Sequence, residues 1–119
     1  MAELIAKPTR IPVPGGKVID EYVGRVTSST SAVSVAHMQA PPGWSEPAQT
    51  PDFDEVTLVL RGSVVVEHAG GRIEVPAGQA VITRSGERVR YLVGSEGAEY
   101  VAVCLPAFDP DLAHRDPDV

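Results

Sequence analysis

The sequence contains one cysteine and has little positive charge. Among its 119 residues, Cys104 is the single cysteine, so no disulfide can form within the chain, as is usual for proteins of a reducing compartment. Acidic residues outnumber basic ones by 16 to 10, which gives a formal net charge of -6. Because binding to a phosphate backbone needs a basic stripe, this balance argues against a nucleic-acid-binding protein.

Long apolar runs are absent as well. No stretch approaches the roughly 18 consecutive apolar residues of a membrane-spanning helix. Residues 1–14 include Pro8, Pro12 and Pro14 and lack the apolar run of a secretory signal peptide. We therefore expect a cytoplasmic protein that binds neither membranes nor nucleic acids.

The chain also lacks apolar residues at sustained helical spacing, and it contains many short runs rich in Val, Ile and Thr. Gly and Pro, 11 of each, separate these runs, a pattern typical of short β-strands. Strands are predicted at 17–26, 32–39, 55–61, 63–68, 71–75, 79–83, 88–94 and 98–105. This spacing predicts an all-β fold with a single sandwich or closed barrel over 17–105, flanked by Pro-rich extended arms at 1–16 and 106–119.

The glycines and one acid of the central region resemble the two motifs of the cupin superfamily. In the first motif, G-x5-H-x-H-x3-E-x6-G, the matching residues are Gly43, Glu55 and Gly62. In the second, G-x5-P-x-G-x2-H-x3-N, Gly78 and Gly86 match. The resemblance implies a single-domain cupin-type β-barrel, also described as a double-stranded β-helix or jelly roll.

The histidines of the cupin motifs are replaced in this chain. The four positions that hold metal ligands in other cupins fall on Gln49, Pro51, Glu55 and Val89. Proline and valine cannot ligate through their side chains, so we expect neither the standard metal site nor a cofactor. The run from Ser45 to Gly62 is similar to the ethanolamine-utilisation Q-type cupins, which also lack these histidines.

Glu55 and Tyr91 are the first candidates for catalysis. The cupin alignment directs Glu55 into the barrel, where burial raises the pKa of a carboxyl group and suits it to act as a general acid or base. A structural role, with Glu55 neutralised by Arg61 or Arg84, is equally open. Tyr91 lies two residues after Val89 and shares its face, so its hydroxyl either donates to a substrate oxygen or lies at the rim of the core.

His37 is a further acid–base candidate because of its intrinsic pKa. Val33, Val35 and His37 share one face of their strand. If that face points inward, His37 joins the pocket. If it faces outward, the neighbours Ala36 and Met38 line the pocket.

Four further residues are candidates for substrate binding: Gln49, Glu46, Arg84 and Trp44. The Gln49 amide can orient a carbonyl or hydroxyl group, and Arg84 can clamp an anion or pair with Glu87 on the surface. Trp44 either lines the mouth of the barrel or caps its end. Glu46 also has a simple interpretation as a solvated loop acid.

Three functional hypotheses follow for a small-molecule-binding cupin. The first is a metal-independent isomerase, cyclase or lyase that acts on a small polar metabolite, with Glu55 as acid or base. The second is a non-catalytic ligand-binding or accessory protein. The third is an atypical metal-dependent cupin that uses Glu46, Gln49, Glu55 and His37, so the sequence leaves open whether the protein is an enzyme.

One strand also predicts self-association. In 55–61, the residues Val56, Leu58 and Leu60 share the face opposite Glu55. An apolar outer face requires cover, and a second copy of the chain would supply it. We therefore expect a homodimer.

Overall fold

The computed structural model of the chain describes residues 1–117, and the all-β prediction is confirmed. Within these residues, seven strands and one short helix follow one another. No helix among these residues is long and apolar enough to cross a membrane. The elements are β1 (Thr9–Ile11), β2 (Val18–Val23), β3 (Ser34–Ala40), β4 (Asp54–His68), β5 (Gly71–Pro76), β6 (Ala80–Thr83), β7 (Arg90–Leu105) and α1 (Pro110–Ala113).

All pairings are antiparallel and follow the order β1-β2-β3-β7-β4-β5, with β6 paired to β4. The first half of β4 pairs with β6 and with the second half of β7. Its second half pairs with β5 and with the first half of β7. Residues from both halves, including Val59, Val66 and Tyr100, share one apolar core, so the predicted cupin-type jelly-roll barrel is confirmed.

The long strands β4 and β7 correct the predicted strand list, which divided each of them in two. β4 bends at Gly62, where the register shifts between Gly62 and Val64, instead of ending there. Gly62 has a φ of 73°, and a Cβ atom at this position would collide with the backbone carbonyl of Gly97. Only glycine fits both the left-handed backbone and the close approach of the neighbouring strand.

Both predicted arms contact the barrel. β1, which the sequence did not predict, pairs with β2 through Thr9 and Glu21. Near the other end, residues 112–116 lie beside residues 48–52, and the Asp52 amide donates to the Leu112 carbonyl at 2.8 Å. The division into arms and a barrel over 17–105 stays a prediction.

The period of two along β4 separates a buried face from an exposed one. Thr57 and Val59 are buried, whereas Leu58 and Leu60 are 42% and 47% exposed. Across β3, β7, β4 and β6, the register aligns the apolar residues of this outer side. We call this surface the outer apolar face; it consists of Val35, Val56, Leu58, Ile82, Val101, Val103 and Leu105.

Candidate functional site

A cavity of about 260 Å³ lies inside the barrel, and both arms contribute to its wall. Strand parity determines most of its lining, because alternate residues of β2, β3 and β7 point to the same side. Its apolar wall includes Ile11, Val13, Ile19, Ala36, Met38, Ala102 and Phe108. Its polar groups come from Lys17, Glu21, Ser34, Glu46, Gln49, Glu55, Tyr91, Tyr100, Cys104 and Arg115.

Glu55, at the start of β4, is the central ionisable group of the cavity. Burial, reinforced by the negative charge of Glu46, raises its pKa to about 7, and the positive charge of Lys17 opposes the rise. The Thr57 hydroxyl donates to its Oε2 at 3.4 Å, and the Cys104 thiol lies 3.8 Å from its Oε1. No arginine of residues 1–117 forms an ion pair with Glu55: Arg61 pairs with Glu99, and Arg84 with Asp54.

Glu46 and Gln49 lie together on the wall, beside Arg115. The backbones of Gln49 and Val89 form two reciprocal hydrogen bonds of 2.8 and 2.9 Å. These bonds hold the Gln49 backbone beside the cavity. Arg115 donates to the Gln49 side-chain oxygen at 3.4 Å and lies 3.5 Å from the Glu46 carboxylate. The Glu46 side chain is only 11% exposed, and burial raises its pKa although Lys17 and Arg115 oppose the shift.

Lys17 precedes β2 and brings an amine to the same cavity. Its ammonium lies 4.0 Å from the centre of the Trp44 ring and 5.4 Å from that of Tyr100. Burial lowers the pKa of Lys17, and the charges of Glu46 and Glu55 only partly oppose this. The cavity therefore combines two carboxyl groups whose pKa values are raised with an amine whose pKa is lowered.

Tyr91, Tyr100 and Cys104 stay neutral donors or acceptors in the cavity. Burial raises the pKa values of Tyr91, Tyr100 and Cys104, and the charge of Glu55 adds to each rise. The Tyr91 hydroxyl is fixed by Thr83, with the two oxygens 2.7 Å apart. Because a thiolate is the reactive form of cysteine, Cys104 is not activated as a nucleophile here.

Two of the candidate residues, His37 and Arg84, lie outside the cavity, which is one of the alternatives that the sequence left open for each; the side-chain partner of Arg84 is Asp54 and not Glu87. His37 has the outward parity of β3 and contacts Glu99 at 2.7 Å; Ala36 and Met38 line the cavity instead. The Arg84 side chain is 71% exposed and lies 3.9 Å from Asp54, because the strand β6 ends at Thr83 and the following turn is on the surface.

The other candidates lie at the cavity. Glu55, Tyr91, Gln49 and Glu46 belong to its wall. Trp44 lies behind the wall, where it packs against the core and faces the Lys17 ammonium.

The residues at the cupin ligand positions do not fit the family's metal site. Pro51 and Val89 have no ligating side-chain atom, and His37 is on the opposite face of its strand from the cavity. Among residues 1–117, no group of three or more His, Cys, Asp or Glu side chains is arranged to hold a metal ion.

Sequence reasoning missed Lys17 and Arg115, both of which line the cavity. Lys17 could have been found from strand alternation, because residues 17, 19 and 21 fall on one face of the predicted strand, and in the structure all three line the cavity. Arg115 had no such signal, because its position depends on the backbone bridge between residues 49 and 115.

Comparison with known proteins identifies the family. Residues 31–117 match the family described as AraC-like ligand binding domain. The chain belongs to this family. This AraC-like domain is also 48% identical over 113 residues to a Myxococcus xanthus (strain DK1622) protein named Endoribonuclease YbeY. The match covers 94% of the chain but only 38% of that protein.

Solved structures show the same fold at low sequence identity. An oxalate decarboxylase variant from Bacillus subtilis aligns with a TM-score of 0.78 at 19% identity, over 93% of the domain and 31% of that chain. Streptomyces Pac13, described as a nucleoside dehydratase, aligns with a TM-score of 0.77 at 13% identity, over 100% of the domain and 92% of that chain. A putative ethanolamine utilization protein Q from Salmonella typhimurium aligns with a TM-score of 0.61 at 20% identity, over 77% of the domain and 71% of that chain. These likenesses concern the fold alone and show that this AraC-like domain has the same β-barrel fold as these proteins.

Proposed function

We propose that the cavity binds a small polar metabolite and catalyses its isomerisation, cyclisation or elimination without a metal, with Glu55 as acid and base. The observation that carries the proposal is the Glu55 carboxyl group, which lines the cavity, has no arginine partner within residues 1–117 and has a pKa of about 7. Such a group is present in both protonation states at neutral pH, as a reversible proton transfer requires.

The surrounding groups support this role. As a carboxylate, Glu55 removes a proton from a carbon next to a carbonyl group, whose oxygen takes up the negative charge, and as a carboxylic acid it returns a proton to a neighbouring atom. Gln49 and Tyr91 orient the substrate through its oxygens, since both present donors at the cavity wall. The apolar wall limits the access of water, which strengthens these electrostatic interactions.

The test does not require the substrate to be known. Pools of small hydroxy and carbonyl metabolites are incubated with the protein in deuterium oxide, and deuterium entering carbon positions is followed by nuclear magnetic resonance. We expect at least one compound to exchange, and Glu55→Gln to lower the rate at least about 100-fold. The matched control is Glu74→Gln, which alters an exposed glutamate of β5 and should leave the rate unchanged. Exchange that persists in Glu55→Gln would disprove the proposal.

A second candidate function is non-catalytic ligand binding. The family is described as a ligand binding domain, and the Myxococcus relative contains a similar segment within a longer protein named as an endoribonuclease. In this alternative the domain is an accessory module that senses a metabolite for a partner. Ligand binding without deuterium exchange, at the same affinity in Glu55→Gln, would favour it.

We also propose that the protein is a cytoplasmic homodimer. The unpaired, buried Cys104 supports a reducing compartment. The outer apolar face supports a dimer, because its named residues carry no charge and a second copy would offer the same apolar surface.

A further inference from the structure

Lys17 is the one basic group of the cavity without a carboxylate partner among residues 1–117. Arg115, the other base there, lies 3.5 Å from the Glu46 carboxylate. Within residues 1–117, no carboxylate comes within ion-pair distance of Lys17, and its amine instead lies 4.0 Å from the centre of the Trp44 ring. Lys17 is half-buried as a residue and lines the cavity.

The electrostatic balance at Lys17 favours the neutral amine more than on a surface lysine. Desolvation by the wall is the largest influence and lowers the pKa of Lys17. The positive charge of Arg115 acts in the same direction, whereas Glu46, Glu55 and the ring faces of Trp44 and Tyr100 favour the charged form and oppose it. A desolvated lysine in a mostly apolar pocket is the arrangement that activates an amine as a nucleophile.

We propose that Lys17 forms a reversible imine with an aldehyde or ketone bound in the cavity. The juxtaposition that carries this is an unpaired amine and two carboxyl groups, Glu46 and Glu55, on the wall of one cavity of about 260 Å³. This deepens the proposed function by naming a carbonyl substrate class, and it rests on the same small-molecule binding.

The carboxyl groups supply the proton transfers. The Lys17 ammonium gives a proton to a carboxylate, and the amine lone pair then attacks the carbonyl carbon as the C=O π bond breaks. The carboxyl group protonates the oxygen, removes a second proton from nitrogen and passes it to the hydroxyl, which leaves as water. The ammonium and the carbonyl compound thus become an iminium ion and one water molecule, and the carboxylate is regenerated.

The chain contains an internal control for this inference. Lys7 is the only other lysine, and it is exposed in the N-terminal segment. Propanal and cyanoborohydride are added to the full-length protein at neutral pH, because the reductant converts an imine into a stable secondary amine. Cleavage after arginine separates the two lysines at Arg10, and mass spectrometry of the peptides, with fragmentation to assign each label to its residue, gives the rate of labelling at Lys17 and at Lys7 separately.

We expect Lys17 to be labelled at least about tenfold faster than Lys7. Lys17→Arg, which keeps the positive charge over Trp44, should lose the fast labelling while Lys7 reacts as before. Labelling of Lys17 at the rate of Lys7 or below would overturn the imine. Deuterium exchange that depends on Glu55, measured on the same protein, then distinguishes failure of the imine from failure of the proposed function. If the exchange is present, the proposed function stands without the imine. If it is absent, both are wrong.

Discussion

Glu55 is subject to opposing influences, and their balance explains the chemistry we assign to it. Desolvation and the charge of Glu46 disfavour its carboxylate, whereas Lys17 and the hydrogen bond from Thr57 favour it. The disfavouring influences prevail and raise the pKa from 4.5 to about 7. A single arginine beside the carboxyl group would reverse this result, and both arginines considered from the sequence lie elsewhere.

This shift predicts a pH dependence of stability. Between the unfolded pKa of 4.5 and the folded pKa of about 7, the folded state holds more protons on Glu55 than the unfolded state, so stability falls as the pH rises. Above this window, the charged Glu55 destabilises the fold by up to about 3 kcal/mol. Glu55→Gln should therefore be more stable than the wild type at about pH 8 and similar to it at about pH 4, as measured by urea unfolding. An equal stability difference at both pH values would contradict this.

Sequence reasoning found the residues of the cavity that belong to the cupin motif and missed Lys17, at the start of the predicted barrel, and Arg115, in the C-terminal arm. Glu55 and Gln49 were identified because motif spacing fixes the direction of side chains on a regular strand. Tyr91 was identified for the same reason. Arg115 was missed because a tertiary contact positions it, and His37 was left open because nothing local determines the parity of β3.

At the scale of the elements, β4 connects the cavity to the rest of the barrel. It carries Glu55 at one end and pairs with β5, β6 and β7 along its length. The sequence predicted where β-structure occurs but treated Gly62 as the end of a strand, because a glycine in a β-run is typical of both a turn and a bulge. Only the close approach of Gly97 decides between them.

Replacement of Gly62 tests this interpretation of the bend. Gly62→Ala should lower the free energy of unfolding by at least about 2 kcal/mol more than Gly78→Ala, because it adds a backbone collision to the strain of a positive φ. Gly78 is a matched control: its φ is 85°, but a Cβ atom there meets nothing within 4 Å. Thermal or urea unfolding of both variants provides the measurement, and equal losses would show that β4 tolerates a side chain at the bend.

At the scale of the whole molecule, the barrel has two apolar surfaces, one inside and one outside. The inner surface encloses the core and the cavity. The outer apolar face includes Leu58, Ile82 and Leu105, which are 42%, 52% and 46% exposed. Exposed apolar residues that are aligned across four strands are a common mark of an interaction site. Strand alternation predicted this face from the sequence, but a single chain does not contain the surface that would cover it.

The dimer proposal makes a specific prediction. Sedimentation of the wild type at micromolar concentration should give about twice the chain mass of 12.6 kDa. Leu58→Lys, which introduces a charge on the outer apolar face, should give a monomer. Ile73→Lys is the control, because Ile73 is 44% exposed on β5, away from this face, and should leave the dimer intact. A monomeric wild type would contradict the proposal.

The most direct test of the central claim is the titration of Glu55 itself. Carbon-13 labelling of glutamate side chains, with Glu55→Gln used to assign the signal, allows its carboxyl carbon to be followed from acidic to basic pH. We predict a midpoint near 7, the value that burial and the neighbouring Glu46 impose. A midpoint near 4.5, the ordinary value of a glutamate, would contradict the account, because Glu55 would then be fully ionised at neutral pH and unable to act as an acid.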